Sequence, residues 1–148
     1  VNLAILLSQR GQNQQAEQLL REVTQANPEL YEAAYSLGLL LVELQNYREA
    51  LTYLEKAARG IPERARIHYN LGLLYAFLQN SGAAEKTLMQ ALSLEPGNLD
   101  YQYALADFYL KTGQFEKARS IAETMLSTHP ENPIGSQILE FIRRNTGH

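Results

Sequence analysis

His68-Tyr69-Asn70-Leu71-Gly72-Leu73-Leu74-Tyr75 is the stretch on which the fold turns. Leu71, Leu74 and Tyr75 fall at helical spacing, and Gly72 sets a small residue beside them. The same pair stands 34 residues earlier as Leu37-Gly38 and returns 34 residues later as Leu105-Ala106. Two more ladders share the spacing: Ala16, Ala50, Ala84 and Ala118, and Pro28, Pro62, Pro96 and Pro130. Three interleaved ladders of one period mark a repeat array.

Each unit holds two apolar patterns of helical period joined by a polar break. In the second unit Ala33, Ala34, Leu37, Leu40 and Leu41 line a face of the first helix, A, and Ala50, Leu51, Leu54 and Ala57 line a face of the second, B. The small residues Gly38, Gly72, Ala106 and Ala50, Ala84, Ala118 stand where two helices approach closely, since larger side chains would push the axes apart. The prolines cannot donate a helical hydrogen bond, so Asn27-Pro28, Glu95-Pro96-Gly97-Asn98 and His129-Pro130-Glu131-Asn132 punctuate the units. These patterns predict helices over 1–10, 13–26, 29–44, 47–60, 63–78, 81–94, 98–111, 115–128 and 132–145.

In its period, and in the places of its small, aromatic and proline residues, the chain resembles the tetratricopeptide repeat family, whose pattern runs W-x2-L-G-x2-Y, then A-x3-F, then P. The repeat from Ala65 to Asn98 carries the match best, with His68, Leu71, Gly72, Tyr75, Ala84, Leu88, Ala91 and Pro96; His68 stands where Trp is usual. The resemblance covers residues 1 to about 132. It implies an all-α fold, a right-handed α-solenoid of stacked antiparallel helix pairs. One domain, 1–148, then comprises a truncated first repeat (1–28), three repeats (29–62, 63–96 and 97–130) and a C-terminal capping helix with its tail (131–148). Asn13 and Ser81 stand where Tyr47 and Phe115 supply the usual aromatic, so those two B helices should begin less firmly packed.

The resemblance also implies a concave face lined by helix A at repeat positions 2, 5, 6, 9, 12 and 13. The partner-binding residues expected there are Tyr35, Leu39 and Glu43, then Arg66, Tyr69, Asn70, Leu73 and Phe77, then Tyr103, Asp107 and Lys111. Tyr35, Tyr69 and Tyr103 form a ladder of one register. It has two readings: rings that contact a ligand, as stiff aromatic anchors do, or family scaffold packed against neighbouring helices. Glu32, Glu43, Asp100 and Asp107 against Arg66 and Lys111 give this surface a net charge of -2, suited to an apolar or mildly basic peptide or helix. The chaperone-tail binders of this family grip a carboxylate with Lys, Arg and Asn on helix A. Here only Asn70 holds a matching place, so that clamp is absent.

Composition limits the alternatives. The chain is 45% apolar over 148 residues, with formal charge -3 and no cysteine, which removes disulfide frameworks and thiolate chemistry. The charge argues against a nucleic-acid binder, and no apolar run approaches the ~18 residues of a membrane span. His68 reads as a core residue, His129 as a helix-end residue and His148 as the last residue; no pair has zinc spacing. No phosphate loop or G-x-S-x-G elbow occurs, so neither an enzyme nor a cofactor is expected. Val1-Asn2-Leu3-Ala4-Ile5-Leu6-Leu7 reads as helix from its first residue and lacks a charged leader, as if cut or processed from a longer protein. The compartment stays open between cytoplasm and, with an upstream signal removed, periplasm. Function reduces to two classes. The first is an interaction scaffold that binds a protein or peptide partner in the groove. The second is an assembly module of a larger protein, its exposed Leu3, Leu6 and Leu7 seam able to form a homodimer.

Overall fold

The computed structural model describes the backbone of residues 3–147 and the side chains of 11–147. The expectations placed on Leu3, Leu6, Leu7 and His148 lie outside the described side chains. Among the described residues there are eight helices and no strand: α1 (Leu3–Ala26), α2 (Tyr31–Glu43), α3 (Tyr47–Gly60), α4 (Ala65–Phe77), α5 (Ser81–Leu94), α6 (Leu99–Lys111), α7 (Phe115–Thr128) and α8 (Ile134–Thr146). The all-α class and seven of the predicted helices stand, most within two residues of their expected ends.

The exception is the N-terminal pair. Where two helices were expected over 1–10 and 13–26, α1 runs unbroken for 24 residues. A turn there would have needed Gly11 in the left-handed region and either an aromatic at position 13, as Phe115 supplies for α7, or a capping residue just before it, as Asn80 supplies for α5; the chain has Gln12 and Asn13. The surrounding glutamines are good helix formers, so propagation wins although Gly11 costs ~1 kcal/mol against alanine.

The remaining A helices end in one way. Gln45, Gln79 and Gly113, spaced by 34, have φ of 62°, 63° and 74°. Behind each, the next residue closes a wide turn: Asn46 N–H donates to Leu41 O, Asn80 to Tyr75 O and Gln114 to Tyr109 O, at 2.8 to 2.9 Å. Gln45, Gln79 and Gly113 themselves donate to Val42, Ala76 and Leu110. This is the Schellman closure, which satisfies carbonyls at the helix end and needs one left-handed residue. The B helices end differently. Ile61, Glu95 and His129 leave the helical region, with φ of -129°, -137° and -134° and ψ of 67°, 77° and 65°. Each precedes a proline, whose ring excludes the helical conformation from the residue before it.

The chain forms two compact units, residues 1–67 and 68–148. In the first, Ala34, Ala57 and Ile67 are a buried cluster against which Tyr35, Tyr53 and Ile61 pack. Arg21 on α1 holds Glu49 on α3 through two hydrogen bonds, at 2.8 and 3.1 Å. In the second, a larger cluster runs from Ala84 and Leu88 through Leu105 and Phe108 to Met125, Ile138 and Ile142. Fully buried Gln102 ties this unit together, its Nε2 donating to Pro96 O at 2.9 Å and Thr128 Oγ1 at 3.1 Å.

Close approach works as the sequence predicts. A Cβ on Gly38 would lie 2.8 Å from the Leu54 side chain, and one on Gly72 2.7 Å from Leu88. The equivalent pair in the last repeat is Ala106 and Ala122, both fully buried. Glycine faces leucine twice; alanine faces alanine once. The aromatic substitution at Ser81 is also compensated. Phe115 packs against the core at the start of α7, whereas exposed Ser81 does not, and α5 is instead capped by Asn80, whose Oδ1 accepts from Ala83 N–H at 3.4 Å.

Candidate functional site

The predicted groove residues separate by unit. In residues 1–67, Tyr35 and Leu39 are half-buried, and Tyr35 packs against the Ala34 cluster. Glu43 and Arg66 are exposed. The charge count taken from the sequence overlooked Arg64, whose guanidinium holds Glu32 through both nitrogens, at 2.8 and 2.5 Å. That bond keeps the Glu32 carboxyl below its ordinary range. A residue outside helix A therefore neutralises one of the charges counted in the groove.

In residues 68–148 the structure brings four of the predicted residues together. Leu73 and Phe77 from α4 and Asp107 and Lys111 from α6 line a cleft of about 670 Å³, with Ala76 and Phe108 beside them. Phe77 is 63% exposed and Leu73 39%, large apolar side chains left in water at the mouth of a concave surface. Asp107 Oδ2 accepts from Lys111 Nζ at 2.9 Å, one helical turn apart, and this bond raises the Lys111 pKa. The two charges of the cleft thus answer each other. Ala76 and Ala104, which also line the cleft, stand at groove positions that the repeat register gives; Phe108 was missed, because it is buried and its ring reads from the sequence as core alone.

The tyrosines do not share one environment. Tyr69 is half-buried and stacks on Tyr101, ring centres 5.0 Å apart and planes tilted by 36°. Asn70 is half-buried beside it. Tyr103 is 46% exposed and lies outside the cleft lining.

Two polar arrangements had no counterpart in the sequence reading. Tyr109 Oη donates to Glu85 Oε2 at 2.7 Å, and Lys117 Nζ donates to the same oxygen at 3.1 Å. Burial raises the Tyr109 hydroxyl pKa well above its ordinary value, while the hydrogen bond from Tyr109 lowers that of Glu85. His129 Nε2 donates to Gly97 O at 2.7 Å, linking two turns; His68 is buried. Among the described residues no group of three or more His, Asp and Glu could hold a metal ion, and no helix is long and apolar enough to cross a membrane.

Comparison with known proteins agrees with this geometry. Family models described as tetratricopeptide repeats match residues 1–65, 35–92 and 82–139. A crystal structure of MamA superposes with a TM-score of 0.85 at 22% identity, over 99% of this chain and 86% of that one. A second MamA structure gives 0.84 at 23%, over 95% and 76%. YrrB, described as a TPR protein with an unusual peptide-binding site, gives 0.80 at 20%, over 97% and 74%. No curated protein matches the chain.

Proposed function

The chain belongs to the tetratricopeptide repeat family, and on that footing we propose that it is a non-catalytic scaffold that holds a peptide or helical segment of a partner protein. The observation that carries this is the cleft between α4 and α6, where Phe77 and Leu73 stay exposed above a charge-balanced pair. An apolar side chain of a partner gains by entering it, because each CH₂ removed from water contributes ~0.8 kcal/mol. The neighbouring Asp107 and Lys111 offer polar contacts at the rim. YrrB, of similar fold, has a peptide-binding site, which supports the same use of the fold here.

The test selects random peptides displayed on phage against the whole chain. Peptides that bind should lose ~10-fold or more in affinity on Phe77→Ala or Leu73→Ala, the size expected of central apolar anchors. Circular dichroism and the melting temperature should stay near those of the parent protein, because both side chains are exposed. Affinity unchanged by both substitutions would refute the cleft. Parallel loss of helix signal would reassign Phe77 and Leu73 to the core.

A further inference from the structure

Resting on the binding reading above, we infer that the partner-facing surface of the C-terminal unit continues onto α8, where Phe141, Arg143 and Arg144 receive a segment in which apolar residues are joined to acidic side chains. Register carries the first half. Ile138 and Ile142 are buried in the same cluster as Ala104 and Phe108, which stand 34 residues before them. Gly135 is buried as Tyr101 is. A Cβ on Gly135 would lie 3.1 Å from the Ala122 carbonyl, so α8 is seated closely on α7. With the buried positions of α8 and α6 in one register, Phe141 occupies the repeat position of Asp107 and Leu73, two residues of the cleft. Phe141 is 48% exposed and lines a depression with Gln137, Glu140 and Arg144.

Charge carries the second half. On α6, Asp107 and Lys111 compensate each other, and Asp100 lies at the other end of the helix. On α8 one carboxylate serves two guanidiniums: Glu140 Oε1 accepts from Arg143 Nη2 at 2.5 Å and from Arg144 Nε at 3.1 Å. One positive charge is left over beside the exposed Phe141 ring. Arg143 closes its fork on Glu140, with Nε also donating to Oε2 at 3.0 Å, whereas Arg144 spends Nε alone and, 74% exposed, presents its two terminal nitrogens as a fork that matches a carboxylate. An acidic side chain on the partner complements this end of the surface. A lysine or arginine there is repelled.

Peptides selected from the phage library above, synthesised with amidated C-termini, provide the probe. The enriched sequences should combine apolar residues with Asp or Glu. Their affinity should fall ~10-fold on Arg143→Gln/Arg144→Gln, fall with added salt and rise on Glu140→Gln, which enlarges the surplus charge. Arg143→Lys/Arg144→Lys keeps the charge but loses the planar fork, so binding should fall less than in the glutamine pair, which separates charge from helix stability. Enriched peptides that lack acids or are rich in Lys and Arg would overturn the inference. So would acidic peptides indifferent to the glutamine pair, or binding that needs a free C-terminal carboxylate. Peptides sensitive to Phe77→Ala but not to Phe141→Ala or the glutamine pair would leave the cleft standing and remove α8. Peptides with the reverse sensitivity would remove the cleft, and with it the continuity claimed here. An unenriched library would refute both.

Discussion

A single backbone angle sets the cost of each A-helix ending. Gln45 and Gln79 sit in the left-handed region, where a side chain carries a penalty of roughly 1 kcal/mol that glycine escapes. Gly113 fills the same position in the next repeat without that penalty. Gln79→Gly should therefore raise the unfolding free energy by up to ~1 kcal/mol in a urea titration, and Gly113→Gln should lower it by a similar amount. The side chain at 79 is exposed, so little packing is lost. This device was hidden in the sequence because only one of its three residues is glycine. The prolines were visible, yet their action lies one residue upstream, at Ile61, Glu95 and His129, which carry no marker of their own.

Between elements, the helix pairs are matched by volume. Gly72 faces Leu88 so closely that Gly72→Ala must displace the leucine side chain, with the Leu88 backbone nitrogen 3.2 Å behind it. Overpacking of this kind costs ~1–3 kcal/mol. Leu88→Ala alone should cost ~2–5 kcal/mol through the cavity it leaves. The double variant, which copies the Ala106 and Ala122 arrangement, should be less destabilised than the sum of the two by ~1 kcal/mol or more in a denaturation cycle. Additive effects would mean that the two positions do not share one space. Helix placement was legible because apolar period, small-residue ladders and prolines agreed. It failed in α1, where the turn position carried glycine but neither an anchoring ring nor the Asn cap that serves α5, and the sequence pattern alone does not weigh missing contacts against good helix formers.

For the whole molecule, the ionisable network sets the response to pH. The hydrogen bond from Arg21, and then that from Asn46, hold the Glu49 carboxyl below its ordinary 4.5. Tyr109 and then Lys117 do the same for Glu85. A carboxyl with a depressed folded pKa stabilises the fold above about pH 4.5 and loses that contribution as pH falls through its folded value. The melting temperature should accordingly decline below about pH 4.5, and Glu85→Gln should shallow the decline. At the alkaline end Tyr109, raised above its ordinary 10.0 by burial and by Glu85, favours the neutral form, so stability should also fall above about pH 10. Site residues were legible only in part. The repeat register located Leu73, Phe77, Asp107 and Lys111, but whether a ring faces water or a neighbour depends on contacts the register does not encode. Tyr69 meets Tyr101, and Tyr103, one repeat later, stays exposed.

The pairing of glycine with leucine, and of alanine with alanine, bears on how such an array can be rearranged. A crossover falling in the turn between α4 and α5 would join a chain carrying Gly72 to one carrying alanine opposite, leaving a void, or would drive alanine into leucine. A crossover at a proline turn keeps both halves of the match on one side of the junction. The smallest segment that can be duplicated or transplanted without harm is thus the complete hairpin, and its two helices must be inherited together.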